Sequence, residues 1–337
     1  GYEKKIETAI LDAGYGVSTI EENLLEDMNM KSQNKADPAS DTLPYLFEAP
    51  ELTGLTNWTN SEPITSMEEL KGKVVLVDFW TYSCINCIRT LPYMQTWHER
   101  YKDEGLVILA VHAPEFQFEK KIENVRNAVK EFGLTYPVVQ DNDFKLWRAY
   151  ENRYWPAKYL IDKDGTVRYT HFGEGKYDET EKAIVELLNT DLKLGEIVAT
   201  SVDFKKIGTR EIYIGLSRRE NYVEPTTPLT LNQWTLTGEW ESGEESAINK
   251  SADASINLQF KASKANLVIG GSGKATVFID GKIANETNSG KDVKNGQLTL
   301  SGERLYELTN FGDKYDEHEI EIKFQNPEME LFAWTFG

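Results

Sequence analysis

Two hydrophobic rhythms divide this chain. From Val74 to Trp80, and again from Leu106 to Val111, apolar residues run almost without a break. Runs so short, and so rich in branched aliphatic residues, predict strands buried inside a sheet. Ile122, Val125, Val129 and Phe132 recur at helical spacing, so Phe118 to Phe132 is expected to form one helix. Pro137 to Gln140 predicts a short strand and Phe144 to Tyr150 a short helix. Ala157 to Ile161 and Thr166 to His171 flank Asp162-Lys163-Asp164-Gly165, a strong hairpin turn, and Glu179 to Leu188 closes the series as a helix. The order is βαβαββα, an α/β domain.

From about residue 197 the rhythm changes to a period of two. Ile256/Leu258/Phe260, Ala275/Val277/Ile279, Ile320/Ile322/Phe324 and Phe332/Trp334/Phe336 each alternate with intervening residues, and Asp280-Gly281 sits between two such runs. Short half-buried strands of this kind predict an all-β sandwich of jelly-roll type. At the other end, Ile6, Ala9, Ile10 and Ala13 fit a short amphipathic helix ended by Gly14-Tyr15-Gly16. Ser18 and Glu21 form a capping box for a second helix, Ile20 to Met30, and the polar stretch Lys31 to Asp41 contains Pro38. The expected organisation is therefore a helical and polar tether over 1–43, an α/β domain over 44–192 and a β-sandwich over 197–337.

Charge narrows the partners. The 337 residues carry a net −18 with a pI near 4.8, which argues against nucleic acid or an anionic membrane surface. No apolar run approaches the roughly 18 residues of a membrane span. The chain begins at Gly1 with a stretch that does not read as a signal peptide, and the expectation is a soluble fragment or processed form.

The chemistry concentrates in Lys73 to Pro92, KVVLVDFWTYSCINCIRTLP, which holds both cysteines of the chain. A turn, Thr81-Tyr82-Ser83, links the first buried strand to Cys84-Ile85-Asn86-Cys87, which opens a helix. Unpaired N–H groups and the dipole at a helix N-terminus favour an anion, here the Cys84 thiolate. Cys84 is the expected nucleophile and Cys87 the buried resolving thiol. Asp78 lies in the middle of the apolar strand, six residues before Cys84. A carboxylate there is costly unless partnered or protonated, and a proton-relay role suits it better than that of an ordinary edge-of-core acid. Pro92 is expected to interrupt the helix.

Blander readings exist for each feature. Zinc would need further ligands from His98, His112, His171 and His318, and a second CxxC is missing, so no metal is expected. His112 and Glu115 read equally as part of a polar loop near the site or as a structural cap. The remaining acidic residues read as a solvated surface. Trp234, Trp240 and Trp334 read first as core or rim aromatics, with sugar stacking the weaker alternative.

The strand, buried acid, WxxxCxxC and following proline resemble the thioredoxin active site. The longer string FWTYSCINCIRTLPY resembles the DipZ-type subgroup, as do HAPEF (His112 to Phe116), NDFKLWRAYENRYWPAKYLID (Asn142 to Asp162) and GEGKY (Gly173 to Tyr177). Ile212 to Tyr222, Trp234 to Trp240 and the terminal LFAWTFG resemble the C-terminal module of that subgroup, of carbohydrate-binding-module-like fold, although Thr209-Arg210-Glu211 departs from its lead-in. The resemblance implies a TlpA/ResA-like thioredoxin domain followed by a β-sandwich. It places a cis-proline, Trp155-Pro156, opposite the cysteines, with its backbone pairing an incoming peptide and Trp80, Tyr82 and Ile85 as an apolar rim. It further implies an extracytoplasmic thiol-disulfide oxidoreductase, tethered to the membrane through a segment before residue 1. Such a protein needs no cofactor beyond a redox-active Cys84–Cys87 disulfide. Its partners would be disulfide-bearing exported proteins and a membrane CcdA-like electron donor, with room for a carbohydrate on the sandwich. Two other classes stay open: a surface binding protein with a vestigial CxxC, and a peroxidase on a thioredoxin scaffold.

Overall fold

The computed structural model describes residues 43–192 and 202–337. The helices expected at Ile6–Ala13 and Ile20–Met30, and the linker Lys31–Asp41, lie outside the described residues. The chain divides into two compact units, Gly1–Ala199 and Thr200–Gly337.

The first unit is built on a seven-stranded sheet. In chain order its strands are β1 (Phe47–Glu48), β2 (Thr56–Thr59), β3 (Val74–Trp80), β4 (Leu106–His112), β5 (Val138–Gln140), β6 (Ala157–Ile161) and β7 (Thr166–Phe172). Their spatial order is β1-β7-β6-β3-β4-β5-β2, with β3, β4 and β5 parallel and the remaining pairings antiparallel. Strand β3 is central and all seven of its residues are buried. Val75, Val77 and Phe79 face a core shared with Leu109, Val111, Trp147, Tyr150 and Tyr159. Each such side chain contributes about 1.5–3 kcal/mol by leaving water. Asp78 has the opposite parity and so faces the other side of the sheet. The very short strands β1 and β2 offer no alternation long enough to register in the sequence.

Among the described residues, four α-helices accompany the sheet: α1 (Ile85–Tyr101), α2 (Ile122–Glu131), α3 (Lys145–Ala149) and α4 (Tyr177–Leu188). Two expectations are corrected. Helix α1 runs through Pro92 without interruption; proline costs the helix one N–H bond and a steric adjustment, which seventeen packed residues absorb. The helix expected over 118–132 is two pieces, a 3-10 turn at Gln117–Lys120 and then α2, because Lys121 between them is extended at φ −71, ψ 117.

The second unit is an all-β sandwich of two antiparallel sheets. One contains Trp240–Ser242, Ala247–Asn249, Glu330–Phe336, Ala265–Gly270 and Arg304–Glu307, with Ile212–Tyr213 paired to Glu330–Phe336. The other contains Val293–Lys294, Gln297–Ser301, Ser272–Ile279, Glu317–Phe324, Ser255–Lys261 and Trp234–Thr237, with Lys282–Ile283 paired to Ser272–Ile279. Ile256, Leu258, Phe260, Val277, Ile320 and Ile322 fill the space between, as their alternation requires. At the hairpin, Asp280 and Gly281 both take positive φ (52° and 73°), the combination a type I′ turn demands. Trp234 and Trp334 are 0 % exposed, so neither offers a face to a sugar. Trp240 is half-buried, its Nε1–H donating to Thr237 O at 3.0 Å.

Candidate active site

Cys84 is the N-cap of α1, in extended backbone geometry (φ −76, ψ 114), and the Cys87 N–H donates to its sulfur at 3.2 Å. The first turn of the helix is thus aimed at Cys84 Sγ, an arrangement that favours negative charge there. Cys84 is half-buried and Cys87 fully buried, and the two sulfurs are not bridged. Burial pushes the Cys87 thiol up, and nearby Asp78 adds to the rise, while Cys84 and Lys158 oppose it. The pair is asymmetric: one sulfur reachable, the other shielded and reluctant to ionise.

Asp78 is paired with a residue that the sequence reading did not single out. Lys158, on β6, stands directly opposite it in the antiparallel register, and Lys158 Nζ lies 3.1 Å from Asp78 Oδ1. Both side chains are 1 % exposed. Neither has a further hydrogen-bond partner among the described residues. Burial raises the Asp78 carboxyl above its usual range, with the Lys158 charge pulling the other way. A signal was available: Lys158 is the one charge in the buried run Ala157–Ile161, the same anomaly that marked Asp78.

The Trp155–Pro156 peptide bond is cis. Pro156 is buried and Trp155 half-buried, with the Trp155 Nε1–H donating to Ala113 O at 3.0 Å and its ring against Trp147 at 4.3 Å. The expected apolar rim is corrected in part. Trp80 is 0 % and Tyr82 3 % exposed, because Trp80 completes the buried strand β3 and Tyr82 stacks on the His112 ring. Ile85 and Trp155 retain exposed surface.

The acids are not all a solvated surface. Glu119, Asp141 and Glu174 are largely withdrawn from water. Glu174 forms an ion pair with Arg89 on α1 at 3.1 Å, and Arg89 also reaches Asn86 Oδ1 at 3.4 Å. Glu119 accepts from Ser83 Oγ at 2.5 Å and from the backbone N–H groups of Glu115 and Phe116. His112, read as part of a loop or cap, ends strand β4 and is completely buried.

These burials set a pH dependence. Burial pushes the Glu119 carboxyl up from 4.5 to about 7, and pushes the His112 imidazole down from 6.5 to about 3. Folding therefore holds a proton on Glu119 that the unfolded chain releases. That contribution is whole below pH 4.5 and is lost as pH rises through 7. His112 works oppositely, costing stability as pH falls below 6.5, so the two offset one another between 4.5 and 6.5. Above that window only Glu119 remains. The stability of the parent relative to Glu119→Gln is expected to fall by about 1 kcal/mol between roughly pH 6.5 and 8. Urea midpoints across that range measure it; parallel curves for the two proteins would exclude a Glu119 proton there.

Comparison with known proteins places these features. The Thioredoxin like C-terminal domain family matches residues 209–337, and the AhpC/TSA family matches residues 47–170. Protein DipZ of Mycobacterium bovis, like that of Mycobacterium tuberculosis, is 35 % identical over 336 residues, covering 93 % of this chain and 46 % of that protein. The thiol-disulfide oxidoreductase YkuV of Bacillus subtilis is 32 % identical over 139 residues, 41 % of this chain and 93 % of that protein. The chain belongs to the thioredoxin-like thiol-disulfide oxidoreductases. It spans less than half the length of the DipZ proteins it matches. A solved thioredoxin-like protein in its oxidised form is 33 % identical, covering 42 % of this chain and 95 % of its own, at a TM-score of 0.39. Among the described residues of this family member, no group of three or more His, Cys, Asp or Glu is placed to hold a metal ion. No described helix is long and apolar enough to cross a membrane.

Proposed function

We propose that this chain reduces disulfides of exported proteins outside the cytoplasmic membrane, taking electrons from a membrane CcdA-like dithiol carrier. The observation that carries the reading is the asymmetric pair, a half-exposed Cys84 capping α1 above a buried Cys87 whose surroundings include Asp78.

The Cys84 thiolate attacks one sulfur of a partner disulfide. The partner S–S bond breaks, a Cys84–partner disulfide forms, and the departing partner thiolate takes a proton from water. Cys87 then gives its proton to the Asp78 carboxylate, attacks Cys84 Sγ and expels the second partner sulfur as a thiolate, which takes a proton from water. Two electrons have passed to the partner, and the Cys84–Cys87 disulfide is returned to the dithiol by the carrier. Lys158 holds Asp78 in place and stabilises it as the anion that can accept the proton. Trp155-Pro156 and Ile85 form the surface on which the partner's extended chain lies. A tether before residue 1 would keep the domain near its donor.

Direction is set by potential. Thioredoxin-like couples span roughly −270 to −120 mV, about 7 kcal/mol for two electrons. Equilibration of the Cys84–Cys87 couple with glutathione is expected to give a value in the reducing half, together with insulin reduction in the presence of dithiothreitol. A potential near the oxidising end, about −120 mV, would reverse the assignment to disulfide formation. The AhpC/TSA match keeps one alternative, reduction of peroxide by Cys84. Peroxide consumption faster than insulin reduction would favour it.

A further inference from the structure

The segment from His112 to Glu119 plays no part in the thiol chemistry above, yet it holds both sides of the site. Each residue of the turn before Cys84 is tied to it. The Thr81 hydroxyl lies 3.2 Å from His112 Nε2. The Tyr82 ring stacks on His112 with centroids 5.6 Å apart and meets the Phe118 ring edge-on at 6.1 Å. Ser83, the neighbour of Cys84, bonds Glu119 Oε1 at 2.5 Å. On the opposite side, Ala113 of the same segment accepts from the Trp155 indole at 3.0 Å.

Glu119 is what closes this segment on itself. Its second oxygen accepts the backbone N–H groups of Glu115 and Phe116, so one carboxyl joins the fold of the segment to the turn that presents the nucleophile. A fully buried carboxyl is a poor way to fill space, since apolar side chains of like volume pack at least as well. It gives direction instead. Disulfide exchange needs the attacking sulfur in line with the bond it breaks, and a displacement of about 1 Å can cost a hundredfold in rate.

We propose that Glu119 is a positioning residue for disulfide exchange, fixing Thr81 to Ser83, and through them Cys84, against the wall that carries Trp155. The inference rests on the thiol-exchange reading of Cys84.

The test compares kcat/KM for insulin reduction in the parent, Ser83→Ala, Glu119→Met and Glu119→Gln, with melting temperature measured alongside. Ser83→Ala removes only the tie to the turn, and is expected to lose about tenfold in kcat/KM while melting close to the parent. Glu119→Met fills the volume without polar atoms and should lose more, about thirtyfold, chiefly in kcat. Adding Ser83→Ala to it should do no further harm. Glu119→Gln keeps an acceptor for the two N–H groups and a donor for Ser83 Oγ, so it should recover to within about threefold of the parent. A parent that fails to reduce insulin overturns the exchange reading and this assignment with it. An active parent, with Ser83→Ala and Glu119→Met at the parent rate, overturns the assignment alone.

Discussion

Cys87→Ser will stop turnover while leaving the first attack intact. Cys84 remains half-exposed on the helix N-terminus, so it still opens a partner disulfide. With no second thiol to resolve it, the Cys84–partner disulfide accumulates and survives non-reducing electrophoresis. Cys84→Ser removes the reachable sulfur and should abolish both capture and reduction, because Cys87 is completely buried. In the alkylated reduced protein the order of labelling should follow, Cys84 first and Cys87 slowly. Cys87→Ser turning over at the parent rate, together with residual activity in Cys84→Ser, would remove the mechanism.

The second large effect lies beneath the cysteines. Asp78→Asn is expected to slow resolution by about a hundredfold, the usual scale for a lost proton acceptor, and to leave attack by Cys84 within a few-fold. Lys158→Met should do nearly the same through a different route. It leaves the Asp78 carboxyl buried without a counter-charge, which drives it to the protonated form and removes the acceptor. Breaking one side of such a pair costs about 3–5 kcal/mol unless the remaining group neutralises itself. The double variant Asp78→Leu/Lys158→Met separates the two consequences. Apolar replacement of a whole buried pair is commonly neutral or stabilising by about 1–4 kcal/mol, so it should melt at or above the parent. Its resolution step should stay as slow as in Asp78→Asn. Rapid-mixing measurement of mixed-disulfide decay reads this step directly. Equal slowing of attack and resolution in Asp78→Asn would count against a Cys87-specific role.

Much of this architecture was legible because its signals are local. A strand buried on both faces, a turn and a helix-opening CxxC are adjacent in sequence, and the change from a helical to a twofold rhythm near residue 197 needs no partner to be seen. Asp78 stands out because a charge in the middle of an apolar run is costly unless it is partnered or protonated. What escaped reading depends on register. Lys158 is eighty residues from Asp78, and only the antiparallel pairing of β3 with β6 sets them side by side. Glu119 looked like any surface acid because the 3-10 turn that folds it inward breaks a helix the periodicity predicted as continuous. Trp80 and Tyr82, expected on the rim, are drawn inward by sheet burial and by the His112 ring.

The ion pair between Arg89 and Glu174 changes how the two residues between the cysteines are inherited. Asn86 touches Arg89, and Arg89 is held by a carboxylate eighty-five residues further along the chain. Positions 86, 89 and 174 therefore form one character spread over three places. A substitution at any of them arrives in a setting prepared by the other two, and the Ile85-Asn86 dipeptide is not a cassette that carries its properties with it into another scaffold.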